Sequence, residues 1–181
     1  GDRIQEDDDM PATIECSTAI TTTILDSPLG PLVAGATDDG ICLLKFAGPR
    51  YDAAKLSKRY KAAVVPGRHP YLNRLRDELA DYFAGQLSAF TVPIVVRGTQ
   101  FQETVWNELL RIPFGETRSY ADIARAIGAA SASRAVGNAN GQNCVAILIP
   151  CHRVIASGGK IGGYGGGLDR KQFLLDIERR T

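Results

Sequence analysis

No apolar run in the 181-residue sequence approaches the roughly 18 residues of a membrane-spanning helix, which argues against a helical membrane protein. The N-terminus lacks the basic and then apolar character of a secretory signal and opens instead on an acidic, polar stretch containing Asp7-Asp8-Asp9. The four cysteines, at 16, 42, 144 and 151, show no CxxC spacing, so a thioredoxin-like redox motif and a zinc ribbon are both unsupported. They are not needed as staples either, because a chain of this length can bury on the order of 70% of the surface it exposes when unfolded. The expected setting is therefore intracellular, with the thiols reduced. Charge of one sign is scarce as well: the net value is +1, and it is uneven. Residues 1–10 hold five acids and one base, leaving 20 bases against 15 acids beyond them, about +5. So mild an excess neither establishes nor forbids binding to nucleic acid.

What is present reads as an ordinary globular chain of one large or two small domains, with 44% hydrophobic and 23% charged residues and a mean hydropathy of −0.09. Residues 1–9 read as a disordered leader or the remnant of a longer chain. From Ile14 to Leu25 β-branched and polar residues alternate, and runs at 32–34 and 41–46 follow turn signals at 26–30 and 38–40, predicting a strand meander. Helical spacing covers 52–60 and 71–83, the latter entered through Pro70 and stopped at Gly85, and 90–96 reads as one more strand. Residues 10–95 thus form a small α+β unit. After residue 96 the pattern becomes helical, over 100–110, 119–127 and 133–140, with Thr99 and Ser119 as N-caps and Asp122 completing a capping box. The last two helices, joined across Gly128-Ala129-Ala130, have the layout of a helix-turn-helix, which a helical domain also produces by chance. The second carries Arg134 followed by Ala135, Gly137 and Ala139, small side chains that suit either approach to a DNA minor groove or close helix packing.

The chemistry should lie where the apolar segment 144–151 ends at Pro150 and Cys151, His152 and Arg153 follow in succession. A thiol attacks only as thiolate, so a nucleophilic cysteine needs a base or positive charge beside it. His152 can serve, through a water if the adjacent side chains diverge, and then needs an acid to fix its tautomer. Glu178 is the best placed, on an amphipathic helix over 171–179 that must pack back on the domain. A buried inert cysteine with a surface histidine is the alternative; Cys16, Cys42 and Cys144, lacking such neighbours, are expected to be inert. The segment from Ser157 to Gly167, with Tyr164 among glycines, is too glycine-rich for a helix or plain strand and suits a pocket wall, or else a linker.

Ile149-Pro150-Cys151-His152-Arg153-Val154 closely resembles the active-site signature of the O6-alkylguanine-DNA alkyltransferases. Phe114-Gly115-Glu116, Ser119-Tyr120, Arg134-Ala135-Val136-Gly137, Asn143, Gly162-Gly163-Tyr164 and Leu174-Leu175 with Glu178 fall in the same family's order and spacing. The specific likeness covers about 98–181, and Ser27-Pro28-Leu29-Gly30 resembles the family's first domain more weakly. It also fits the C-terminal part of an Ada-type protein, in which the acidic leader would be a linker.

The resemblance implies an α/β (α+β) fold, with a small ribonuclease-H-like domain over 10–95 and a helical winged helix-turn-helix domain over 96–181. It implies a monomer that binds double-stranded DNA through the minor groove, has no membrane partner, and extrudes the alkylated base. Cys151 would take the alkyl group from guanine O6, and in some relatives from thymine O4, in one irreversible displacement without cofactor or metal. His152 would be the base through a water, Glu178 its orienting partner, and Tyr120 the proton donor to guanine N3. Arg134 would enter the stack in place of the flipped base, with Ala135 and Gly137 beside it, and Asn143 would brace the turn. Tyr164 and the backbone of Ser157, Gly158 and Gly159 would line the base pocket. Some relatives bind zinc in the first domain, but Cys16, Cys42 and His69 do not reproduce that ligand set. Two departures stand out: Cys144 occupies a common proline position, and the turn over 129–133 lacks a phosphate-binding lysine. Two other classes remain open: a Cys-His-Glu thiol hydrolase, which would turn over, and a lesion-binding or regulatory protein that does no chemistry at Cys151.

Overall fold

The computed structural model describes residues 19–48 and 51–180. Its first half is a four-stranded sheet in the order β3-β2-β1-β4. β1 (Ile20–Leu25), β2 (Leu32–Thr37) and β3 (Gly40–Phe46) form two antiparallel hairpins, and β4 (Val64–Pro66) pairs parallel to β1. The expected meander is therefore present from Ile20; its opening at 14–18 lies outside the described residues. Helix α1 (Ala53–Tyr60) makes the crossover from β3 to β4. The Asp52 carboxylate caps it by accepting from Ala54 N and Lys55 N, and it ends at Lys61 in the left-handed region. Helix α2 (Pro70–Phe83) starts with proline in its first turn, where the missing N–H is no loss, and buries Leu72, Leu75, Leu79 and Tyr82.

The strand expected at 90–96 does not form. Pro93 offers no N–H, and the Glu78 carboxylate takes the N–H groups of Thr91 and Val92. A single bridge of Ile94 to Ile41 remains. Conversely β4, three residues ending at a proline, is too short to show a period in sequence.

The second half is helical: α3 (Gln100–Leu109), α4 (Tyr120–Ala126), α5 (Ser133–Gly141) and α6 (Leu168–Arg179), with a two-residue parallel pair of β5 (Arg118–Ser119) and β6 (Val154–Ile155). Capping boxes at Thr99/Gln102 and Ser119/Asp122 fix the starts of α3 and α4. One apolar core runs through both halves, from Leu32 and Leu44 of the sheet through Tyr82 to Trp106, Val136, Ile149 and Leu174. A smaller cluster, including Val33, Leu43 and Tyr60, fills the space under α1. The halves are also hydrogen-bonded, because the free edge of β3 accepts a short stretch of the second half: Leu44 N donates to Cys144 O at 2.8 Å and Ala146 N to Leu44 O at 2.9 Å. Among the described residues no helix is long and apolar enough to cross a membrane.

Candidate active site

The segment leaving α5 cannot continue as helix, and Asn143 shapes the loop that comes after it. Its Nδ2 donates to Ile149 O at 2.9 Å and Val145 O at 3.3 Å, while its Oδ1 accepts from Val145 N at 3.0 Å. This clamp folds 145–149 into a tight buried loop in which Ile147 has φ of 71°, a conformation that a β-branched residue adopts only under constraint, at a cost of about 1–3 kcal/mol. Asn143→Ala should therefore lower unfolding stability by about 3 kcal/mol, since buried carbonyls lose their donor. A denaturant titration showing a loss under about 1 kcal/mol would contradict the clamp.

After Pro150, residues Cys151–Arg153 make one 3₁₀ turn, and all three are buried. At about three residues per turn their side chains point in three directions, so adjacency in sequence becomes divergence in space. His152 Nε2 meets Glu178 Oε2 at 2.6 Å, Arg153 Nε donates to Glu178 Oε1 at 2.6 Å, and the Tyr82 hydroxyl donates to Oε2 at 2.6 Å. Arg153 also donates from Nη1 to Ile112 O at 2.7 Å. Glu178 is thus the hub of a buried network that reaches α2 in the first half.

The electrostatics derive from this burial. Burial works to raise the Glu178 carboxyl, but the hydrogen bonds and charges of His152 and Arg153 overcome it and hold the group at about 2. Burial lowers His152 below its ordinary value against the pull of Glu178, so the ring is neutral near pH 7. Since the carboxylate can only accept, the ring proton sits on Nε2 and Nδ1 keeps its lone pair. Burial raises the Cys151 thiol, opposed by Asn143 and by the nearby Lys171 ammonium. Lys171 is fully buried, donates to Val154 O at 2.6 Å and Gly163 O at 3.0 Å, and is pulled down to about 8 by desolvation.

Cys151 opens on a cavity of about 540 Å³ that is also lined by Tyr120, Gly137, Asn140, Asn143 and Tyr164. The β5–β6 pairing sets Ser119 opposite Ile155, which brings Tyr120, first residue of α4, beside the cysteine turn. Burial, and then the Cys151 charge, raise the Tyr120 hydroxyl, so it remains a proton donor. Three buried polar atoms here have no protein partner among the described residues: His152 Nδ1, Asn140 Oδ1 and the Tyr164 hydroxyl. Orphaned polar atoms are costly in a finished core, and two of the three residues, Asn140 and Tyr164, line the cavity, which fits a site completed by a ligand.

The structure brings Cys151, Tyr120, Asn143 and Tyr164 to one cavity with the His152–Glu178 pair buried nearby, and Gly137, expected beside Arg134 at the DNA, also lines that cavity. Arg134 and Ala135 lie on the exposed side of α5, away from the Glu178 network. Ser157, Gly158 and Gly159 do not line the cavity: they form an exposed turn, and the wall is made by Gly163, Gly165 and Gly166 further along the same segment. At Gly166 a Cβ would stand 2.8 Å from the Phe46 ring, so this one position of the wall favours glycine where it passes the first half. Cys144 does have a basic neighbour across the chain, since Arg59 Nη1 lies 2.7 Å from its Sγ, but it does not line the cavity. Sequence reasoning named Arg153 without assigning it a role, and missed Tyr82, Lys171 and Asn140. A signal existed for Lys171, because Lys171, Leu174, Leu175 and Glu178 fall at i, i+3, i+4 and i+7, the buried face of α6. Among the described residues no three His, Cys, Asp or Glu side chains group to hold a metal.

Comparison with known proteins matches residues 20–96 to the ribonuclease-like domain of 6-O-methylguanine DNA methyltransferase and residues 100–180 to the DNA-binding domain of the same family. A methylated-DNA–protein-cysteine methyltransferase of Mycolicibacterium paratuberculosis is 45% identical over 156 residues, 86% of this chain and 90% of that protein. One from Methanosarcina acetivorans is 42% identical over 159 residues, 86% and 96% of the two chains. A crystal structure of Mycobacterium tuberculosis OGT in complex with DNA superposes with a TM-score of 0.76 at 44% identity, covering 90% of this chain and 93% of that one.

Proposed function

The chain belongs to the 6-O-methylguanine DNA methyltransferase family, and on that premise we propose that it repairs duplex DNA by moving the alkyl group of O6-alkylguanine onto Sγ of its own Cys151. The observation that carries this reading is Cys151 lining a cavity large enough for an extruded base, with the His152–Glu178 pair buried next to it in the chain and the fold. Residues 10–95 form the ribonuclease-like part and 96–181 the part that holds DNA. The protein acts as an intracellular monomer.

In the resting site the thiol is protonated, because burial disfavours the thiolate. His152, neutral and oriented by Glu178, removes the proton through a water on Nδ1. The Lys171 ammonium and the Asn143 amide favour the sulfur anion that results. Sulfur attacks the alkyl carbon in line with O6: the S–C bond forms, the C–O6 bond breaks, and the electron pair remains on guanine. Tyr120 donates a proton to guanine N3 as that charge develops. Arg134, on the exposed face of α5, fills the gap left by the base, and Tyr164 flanks the base in its pocket. Water does not cleave the thioether product, so each molecule acts once and no cofactor enters.

Mass spectrometry of the protein after mixing with duplex DNA containing O6-methylguanine tests this reading. The expected result is one added methylene on the Cys151 peptide, saturating at one per protein. Catalytic release of product without a modified peptide would point to a hydrolase, and unmodified DNA with unmodified protein would end the transfer reading.

A further inference from the structure

The cavity is larger than a methyl lesion needs, and its charge is one-sided. Its 540 Å³ has room for about eighteen water molecules at ~30 Å³ each, against roughly a dozen heavy atoms in O6-methylguanine. Among the described residues two cationic side chains, Lys45 and Arg170, line it, and no carboxylate does. Their placement comes from the way the halves join. The parallel bridge of Leu44 to Val145 sets the next residues, Lys45 and Ala146, side by side on the face opposite those two buried side chains. Ala146 lines the same cavity. Arg170 comes from α6, donates to Leu29 O and Gly166 O at 3.1 Å each, and lies 4.3 Å over the Phe46 ring. Neither cation forms an ion pair with a described carboxylate, and the Lys45 ammonium makes no hydrogen bond among the described residues, although its backbone pairs with Val33 in the sheet.

We propose that Lys45 and Arg170 form a subsite for an anionic end on the O6-alkyl group, so that the protein accepts O6-alkylguanines whose chain ends in a carboxylate and favours them over neutral chains of the same size. The proposal rests on the transfer reaction above and names a substrate class for that site. With a carboxymethyl lesion, Cys151 Sγ bonds to the methylene carbon, the bond from that carbon to O6 breaks, and the electron pair stays on guanine. The base is neutralised by one proton, matching the proton the thiol gave up. The carboxylate passes unchanged onto the protein as a carboxymethyl thioether, and no oxidant or second reactant is required. Phosphates of the extruded nucleotide are the other anions these cations could meet, and the experiment separates the two.

Single-turnover rates are compared on duplexes carrying O6-carboxymethylguanine, its neutral isostere O6-carbamoylmethylguanine, or O6-methylguanine, with the wild-type protein, Lys45→Gln and Lys45→Glu. The wild type is expected to prefer carboxymethyl over carbamoylmethyl by about fivefold, the size of a partly exposed charge pair. The ratio should approach one in Lys45→Gln, fall below one in Lys45→Glu, and shrink in high salt. A ratio that is the same in all three proteins overturns the subsite. So does an equal fall of all three rates, which would place Lys45 at the DNA phosphates. Failure of the wild type to take up even the methyl group would overturn the transfer reading along with the subsite, and is recognisable as such.

Discussion

Cys151→Ala should take up no alkyl group at all, while remaining folded and holding the lesion duplex. No other described thiol can substitute. Cys42 is fully buried and pushed up to about 12 by that burial, and Cys144, although beside Arg59, does not line the cavity that takes the base. The structural cost is small, since deleting one sulfur at the edge of an existing cavity removes few contacts, about 1 kcal/mol. Intact-mass measurement and a duplex-binding titration on the same sample check both halves of the expectation. The pair of results is also discriminating. A regulatory protein without chemistry at Cys151 would show no uptake in the wild type either, and a hydrolase would lose turnover where the present reading has none to lose. Alkyl appearing on Cys144 in the variant would show that the buried network is not what selects the nucleophile.

The parts of this protein legible from sequence are those written in local chemistry. Thr99 and Ser119 cap α3 and α4 as expected, because the cap and its partner lie three residues apart. Cys151, His152 and Glu178 were readable from the reactivity of a thiol with a histidine beside it, and from a terminal helix that had to pack inward. What sequence could not show is set by long-range competition. The strand expected at 90–96 gives way because Glu78, on α2, captures the amides that would have paired. Glu178 gathers Arg153 and Tyr82 as well as His152, and Tyr82 arrives from 96 positions earlier in the chain. The cavity wall is made by Gly163-Gly166 in place of Ser157-Gly159, and at Gly166 the close approach of Phe46 is a constraint set by the first half. Glycine content marked the wall without saying which stretch would bear it.

Glu178→Gln is expected to slow alkyl transfer by about 100-fold and to cost about 3 kcal/mol of stability, both traceable to one lost charge. The carboxylate is held at about 2 when folded, against 4.5 ordinarily. Between those values the unfolded chain binds the extra proton, so this contribution is complete above pH 4.5 and is lost as pH falls toward 2, about 3 kcal/mol in all. His152 works in the same sense. Its folded value lies below 6.5 because of burial, so acid begins to favour the unfolded chain from about pH 6.5 downward. Wild-type stability should therefore decline in two stages on acidification, beginning near 6.5 and steepening below 4.5. The glutamine variant should start lower at neutral pH and lack the second stage, because its side chain cannot titrate. Glutamine still fills the space, but it leaves Arg153 buried without its counter-charge, and its amide can present a donor to His152 where the ring needs an acceptor. Loss of tautomer control should show in the pH dependence of transfer: the wild-type rate rises through the lowered histidine value, whereas the variant should need alkaline pH to form the thiolate that burial disfavours. A purely structural role would lower stability and leave that profile in place. An unchanged profile in Glu178→Gln would thus remove Glu178 from the proton path and leave it as the anchor of Arg153 and Tyr82.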